Sequence, residues 1–187
     1  MRNAFLMKNS IYKEEHDWTR NVVDEFKSLS NEDINNKLRS TAVGAAVLMS
    51  QIEADFNFGT VIRNANGFNL KTVYYFGKKR WDRRSSLGCH HYVELKYLST
   101  IEEVASLKQE YKFVVAENTK DAVSLPNYSW SKNSLIVIGE EGGGVCKEVL
   151  DLADDVVKIP MTGSVRSFNA GSAACVVMYD YIAKTCF

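Results

Sequence analysis

The sequence predicts an α/β fold, a mostly parallel sheet with helices on both faces. Two observations carry that prediction. Apolar runs of strand length alternate with segments of helical periodicity along most of the chain, the pattern of parallel strands joined by crossover helices. The composition, 45% apolar and 25% charged over 187 residues, is that of one globular unit able to bury a sizeable core. Only Pro126 and Pro160 punctuate the chain, and no repeat or low-complexity segment is present.

The elements follow in order. Trp18, Val22, Phe26 and Leu29 recur at roughly one helical turn, so Glu15–Leu29 is expected to be an amphipathic helix. Asn31–Leu38 reads as a short second helix, with Ser30 as its cap and Glu32 and Asp33 in the first turn. Gly44–Met49 is an apolar run suited to a buried strand, Phe58–Asn66 a helix with Val61, Ile62 and Ala65 on one face, and Thr72–Phe76 a strand. Tyr92–Tyr97 alternates apolar and polar residues, the mark of a half-exposed strand. Beyond it come helix Ile101–Gln109, strands Lys112–Ala116 and Leu135–Ile138, helix Val145–Leu152, strand Val156–Ile159 and a closing helix Asn169–Lys184. Ligands of parallel sheets collect outside the carboxyl ends of the strands, so the loops after Met49, Ala116, Ile138 and Ile159 belong together.

The longest apolar runs, Ala45–Met49 and Leu135–Ile138, are far too short to cross a bilayer, and the opening MRNAFLMKNS has no apolar signal core. A cytoplasmic protein without membrane contact is expected. Cys89, Cys146, Cys175 and Cys186 show no paired spacing, which suits a reducing compartment. Cys89, His90 and His91 are adjacent on an expected strand, point to opposite faces and lack a fourth ligand, so no metal is assigned, and a histidine base is the alternative use of the pair. Formal net charge is zero, so nothing global predicts nucleic-acid binding. Locally, Gly77–Arg84 sets Lys78, Lys79, Arg80, Arg83 and Arg84 around Trp81, a combination able to meet phosphates and stack on a base. A solvated loop anchored by one aromatic would read the same way.

Leu135–Leu150, LIVIGEEGGGVCKEVL, combines a strand, a glycine-rich turn and a helix. Gly139 and Gly144 have Walker spacing, but Val145 and Cys146 stand where such a loop needs lysine and a hydroxyl. A dinucleotide reading fails at Lys147, and Glu140 and Glu141 would repel a pyrophosphate. The turn suits a neutral or cationic ligand, or else a bare strand-to-helix connection. In DFNFGTVIRNANGF, Asp55–Phe68, Asn57 is expected to cap the helix, and Arg63 lies among Val61, Ile62 and Ala65, where it needs an anionic partner. In Ile159–Tyr181, Pro160 and Gly163 mark a bend, Ser164, Ser167 and Asn169 supply polar groups, and the small residues Ala170–Ala174 admit another backbone or a flat ligand.

NFGTVIRNANGF, LIVIGEEGGGV and IPMTGSVRSFNAGSAA resemble, in order and spacing, the three motifs of the SpoU (TrmH) family of SPOUT-class RNA ribose 2′-O-methyltransferases. The likeness runs from about Val43 onward, so residues 41–187 are expected to form one methyltransferase domain and residues 1–40 a helical extension. It implies an α/β domain with a deep C-terminal trefoil knot, S-adenosylmethionine held by the knot loops, and a homodimer in which both chains contribute to each site. A sulfonium carries positive charge and no phosphate, which accounts for an acidic turn.

The resemblance also implies roles. Asn57, Arg63, Glu141, Ser167 and Asn169 match the polar motif positions at the catalytic centre, with Gly142 a further turn glycine. Ala116, Glu117, Gly139, Glu140, Gly144, Ile159, Met161 and Phe168 would form the cofactor pocket, Phe168 standing where leucine is usual. Lys78, Lys79, Arg80, Trp81, Arg83 and Arg84 would meet RNA, with Trp18 and Arg20, and tRNA is favoured because no separate RNA-recognition domain fits ahead of the motifs. A guanidinium holds its proton too tightly for a base, so Arg63 is expected to clamp a phosphate, with Glu141 either pairing Arg63 or holding its own loop. The same chemistry on rRNA, or a noncatalytic RNA-binding protein of the same fold, are the alternatives.

Overall fold

The computed structural model describes residues 21–187. Its strands are β1 (Ala46–Ser50), β2 (Val73–Phe76), β3 (Leu95–Leu98), β4 (Lys112–Ala116), β5 (Val123–Ser124), β6 (Ser134–Ile138) and β7 (Asp155–Lys158). They form one sheet in the order β3-β2-β1-β6-β4-β7-β5, and every pairing is parallel. The helices are α1 (Asn31–Thr41), α2 (Asp55–Gly67), α3 (Ile101–Ser106), α4 (Lys147–Leu150) and α5 (Ala170–Thr185).

The central strands explain why their sequences read as unbroken apolar runs. Every residue of β1 and β6 is buried, because helices cover both faces. Val47, Met49, Ile136 and Ile138 pack with Phe58, Val61 and Ile62 of α2 and Val177, Met178 and Tyr181 of α5. Their neighbours Ala46, Leu48, Leu135 and Val137 pack on the other face with Val104 of α3 and Val149 of α4. Caps fix where helices start: Ser30 accepts from Asp33 N at 3.1 Å, as expected, and Thr100 accepts from Glu103 N at 3.3 Å.

Several boundaries differ from the sequence reading. Of the expected helix Glu15–Leu29, only residues 21–29 lie within the described part, and there the backbone makes a single 3₁₀ turn, Asp24–Phe26, with no buried residue. Helix α2 begins at Asp55, earlier than Phe58, and α4 is one turn where Val145–Leu152 was expected. The expected strand Tyr92–Tyr97 starts only at Leu95. Cys89–His91 is a 3₁₀ turn and not a strand, so the opposite-faces argument against a shared ligand set does not hold there. Strand β5, two residues long at the sheet edge, left no trace in the periodicity.

Candidate active site

Asn57, Glu141 and Asn169 come from three loops far apart in sequence, and the fold ties them together. Asn57 sits in the first turn of α2 and is 4% exposed. Its Nδ2 donates to Glu141 Oε1, and its Oδ1 accepts from Asn169 Nδ2 at 2.8 Å. Asn169 Nδ2 also reaches Glu141 Oε1 at 3.1 Å, and Ala170 N donates to the same oxygen at 3.4 Å. Asn169 Oδ1 in turn caps α5 by accepting from Ser172 N at 3.2 Å. The expected capping role of Asn57 is therefore corrected: the cap position of α2 is Ala54, which makes no side-chain cap bond, and Asn57 instead joins the helix to the other two loops. Neither role considered for Glu141 is the one seen: none of its hydrogen bonds goes to Arg63, and they reach Asn57, Asn169 and Ala170 of the other two loops instead of amides of its own turn.

Beside this clasp lies a cavity of about 260 Å³ at the carboxyl ends of β4, β6 and β7. Ala116, Glu117, Gly139, Glu140, Gly144, Ile159, Met161 and Phe168 all line it, together with Glu141, Gly142 and Ser167. The glycine turn doubles back so tightly that Glu140 and Gly144 exchange backbone hydrogen bonds of 3.2 and 3.0 Å. Gly144 adopts φ +69°. The acidic residues brace this turn: Glu117 Oε2 accepts from Val145 N at 3.0 Å, and Glu140 Oε1 accepts from Gly143 N at 3.1 Å. Lys158 also lines the cavity, but its ammonium donates to the carbonyls of Thr119 and Lys120 at 3.2 and 3.0 Å. Asn118, Gly143 and Lys158 were not singled out from sequence; their position beside residues at strand ends was the available signal.

Arg63 is elsewhere. The Thr60–Asn64 side of α2 meets α5, where Asn64 Nδ2 donates to Gly171 O at 2.9 Å and Thr60 Cγ2 lies 2.7 Å from the place a Gly171 side chain would begin. The run Ala170–Ala174 was expected to admit a backbone or a flat ligand; at Gly171 the neighbours are the Thr60 and Asn64 side chains. Arg63 projects from a different side, is exposed, and forms no ion pair or hydrogen bond among the described residues, so the anionic partner it needs is not a carboxylate of that part of the fold.

The basic run is partly committed to the fold. Lys78 pairs with Asp55 at 2.9 Å, and the lysine holds the Asp55 carboxyl below its usual range. Arg84 pairs with Asp82, whose pKa falls to about 2 chiefly through that hydrogen bond. Trp81 stacks on Phe58 at 4.7 Å and 23°, so its ring anchors the loop to the core, which matches the reading of a loop held by one aromatic. Arg80 and Arg83 are exposed, and Lys79 lies over the Tyr97 ring at 5.4 Å. Trp18 and Arg20 lie outside the described residues.

Fold and site together define a parallel α/β protein whose ligand cavity is closed by three polar and glycine-rich loops at the carboxyl ends of its strands. Residues 44–179 match the SpoU rRNA Methylase family, and the chain belongs to that family. The tRNA (guanosine(18)-2'-O)-methyltransferase of Escherichia coli (strain K12) is 29% identical over 139 residues, 72% of this chain and 61% of that protein. The chain thus spans about three fifths of that relative's length. The crystal structure of the A. aeolicus TrmH/SpoU tRNA modifying enzyme is similar with a TM-score of 0.72 and 22% identity, covering 82% of this chain and 83% of that one. The SpoU methyltransferase AviRb from Streptomyces viridochromogenes, in complex with the cofactor AdoMet, gives a TM-score of 0.68 at 23% identity over 75% of this chain and 57% of that one. Among the described residues no helix is long and apolar enough to cross a membrane.

Proposed function

We propose that the chain is an S-adenosylmethionine-dependent methyltransferase that modifies a ribose 2′-hydroxyl of RNA, with tRNA the favoured substrate. The observation that carries this reading is the charge of the cavity. Glu117 and Glu140 line it, and Lys158, the only cation lining it among the described residues, is turned onto carbonyls, so the donor set fits a sulfonium and disfavours a phosphate. Ala116, Ile138, Ile159, Met161 and Phe168 offer an apolar bed for an adenine, and the glycine turn lets backbone groups approach the ligand. Bound there, the donor supplies an electrophilic methyl group. Family membership and the name of the E. coli relative support RNA ribose methylation, and that name supports tRNA. The test is to incubate labelled donor with bulk tRNA and bulk rRNA separately: label in tRNA is expected, and label in neither would refute the enzymatic reading.

Arg63 is the proposed clamp for the phosphate next to the target ribose, stabilising charge as it develops on oxygen. Its freedom from partners among the described residues supports that use, since a fork already paired would have to exchange one anion for another. Arg63→Lys is expected to cut methylation by about tenfold or more, because an ammonium cannot reproduce the bidentate grip. Near-normal turnover would argue against clamping.

A homodimer completes the site in this reading. Arg63 leaves α2 on a side other than the one facing α5, so a second copy is the proposed source of the guanidinium at each cavity. Exposed apolar side chains support such an interface: Phe168 of the cavity wall is 42% exposed, Phe56, next to Asn57 of the clasp, 73%, and Tyr179 of α5 60%. Mixing Arg63→Ala chains with Ser167→Ala chains, each inactive alone, is expected to restore methylation; no recovery after exchange of subunits would place Arg63 in its own chain's site.

The C-terminal knot is proposed on the same footing. After β7 the chain meets Asn118, whose Nδ2 donates to Arg166 O at 3.1 Å. Helix α5 is then fastened to the far part of the 117–133 loop: Trp130 Nε1 donates to Asp180 at 2.8 Å, Tyr181 Oη to Lys132 O at 2.6 Å, and Lys184 Nζ to Leu125 O at 2.7 Å. Contacts on both limbs of one loop support threading through it. Stretching single molecules by their ends should leave the unfolded chain shorter than its full contour, and full extension would exclude a knot.

A further inference from the structure

The mechanism above leaves His90 unused, yet the fold holds it in a defined protonation pattern. Ser86 is fully buried, and its hydroxyl donates to Arg83 O at 2.9 Å. With the single Ser86 proton committed to Arg83 O, the Ser86 oxygen is assigned as the acceptor at its 2.7 Å contact with His90 Nδ1, which places the hydrogen on Nδ1 in this network. Burial, then the neighbouring His91 and Arg83, hold the imidazole below its usual pKa, so the ring stays neutral near pH 7 and the Nε2 lone pair is free. Nε2 has no partner among the described residues. Tyr111 Oη is the one buried side-chain polar atom left unpaired among those residues, so Nε2 is within reach of solvent.

The loop that carries His90 is fixed against the face of α2 that carries Arg63. A side chain at Gly59 would meet the Ser85 carbonyl carbon at 2.2 Å, so this loop and the helix touch backbone to backbone one turn before Arg63. Next to His90, the buried Cys89 packs in the same core cluster as Phe58, Val61 and Ile62 of α2, so this turn lies against the helix that carries Arg63. Leu87 and Gly88, at φ +48° and +86°, set the bend, and Asn35 Nδ2 ties it to α1 through His91 O at 2.8 Å. The Trp81 and His90 rings pack edge to face with their centroids 5.9 Å apart. The ring thus stands on the turn tied through Ser86 to Arg83 and against the helix that bears Arg63, both of them exposed cations.

We propose that His90 contacts the substrate, its Nε2 accepting a hydrogen bond from an N–H or O–H of the nucleotide that is methylated. The proposal rests on the RNA methyltransferase reading and adds to it an uncharged contact that phosphate clamps cannot supply. Two variants separate this from a structural role. The amide of asparagine replaces Nδ1 and keeps the donor to Ser86, whereas glutamine places its amide where Nε2 was. His90→Asn is expected to keep the parent melting temperature and donor affinity but to lose roughly tenfold in kcat/KM, the worth of one hydrogen bond held away from water. His90→Gln is expected to retain more activity than His90→Asn. A fall in kcat at saturating RNA would assign the ribose hydroxyl as donor; a raised KM would assign a base edge. If His90→Asn matches the parent, or outperforms His90→Gln, the contact is structural and the proposal is wrong. If the unaltered chain methylates no RNA, the underlying reading fails and takes this proposal with it.

Discussion

Gly139→Ala should abolish donor binding and destabilise the chain, although it adds a single methyl group and alters no charge. The alanine Cβ would lie 2.2 Å from Gly144 C, 2.3 Å from Gly144 O and 2.4 Å from Val145 N. All three are backbone atoms of the returning limb of the turn, so no side chain can swing away to relieve the clash. The turn must open instead, which breaks the paired backbone bonds of Glu140 and Gly144 and pulls Val145 N from Glu117. Overpacking against such rigid surroundings costs about 3 kcal/mol, a fall of roughly 6–12 °C in Tm for a chain of this size. Gly142→Ala is the control, since its Cβ would meet only Glu140 Oε1 at 3.4 Å and should change little. Thermal unfolding and calorimetric titration with S-adenosylmethionine on both variants decide the matter. A Gly139→Ala chain as stable and as competent as its Gly142→Ala counterpart would show that the turn is not packed as described.

The same residues show what a sequence can and cannot disclose. Strands β1, β4 and β6 were legible because covering both sheet faces demands apolar residues without a break, and the loop at the end of each strand could be found from there. Those loop positions marked where a ligand would lie, and the individual residues of the lining came from the resemblance to the SpoU family. Asn57 was misread because spacing within one helix reports a cap and says nothing of partners 84 and 112 residues away. Arg63 was assigned apolar surroundings from its chain neighbours, but α2 presents Val61 and Ile62 to the core and turns Arg63 outward. Trp81 sits in a run of cations, yet a large aromatic beside Phe58 gains more from burial than from standing in water. Irregular turns such as Arg83–Ser86 and Cys89–His91 have no period to detect, which is why the contact of His90 with Ser86, from which its tautomer is assigned, could not be read from the sequence.

Loss of the Glu141 carboxylate should uncouple the three loops that the fold brings together. One oxygen, Oε1, receives Asn57 Nδ2, Asn169 Nδ2 and Ala170 N, so a single side chain fixes the start of α2 and the start of α5 against the glycine turn. Glu141→Ala leaves the Asn57 amide buried at 4% exposure with one donor unpaired, at a cost of about 1–3 kcal/mol. It also frees residues 161–169, including Met161, Ser167 and Phe168 of the cavity wall, so donor affinity should fall more steeply than stability alone requires. Glu141→Gln keeps an acceptor oxygen in place and is expected to lie between the parent and Glu141→Ala in both measurements. A double-mutant cycle isolates the clasp itself: Glu141→Ala, Asn57→Ala and the pair together, compared by urea midpoints. Groups that share one hydrogen-bond network give coupling of about 0.5–3 kcal/mol, whereas independent sites add. Additive losses would mean that Asn57 and Glu141 act separately, and the connection between the methyl-donor cavity and the helix bearing Arg63 would have to run through packing of α2 on α5 alone.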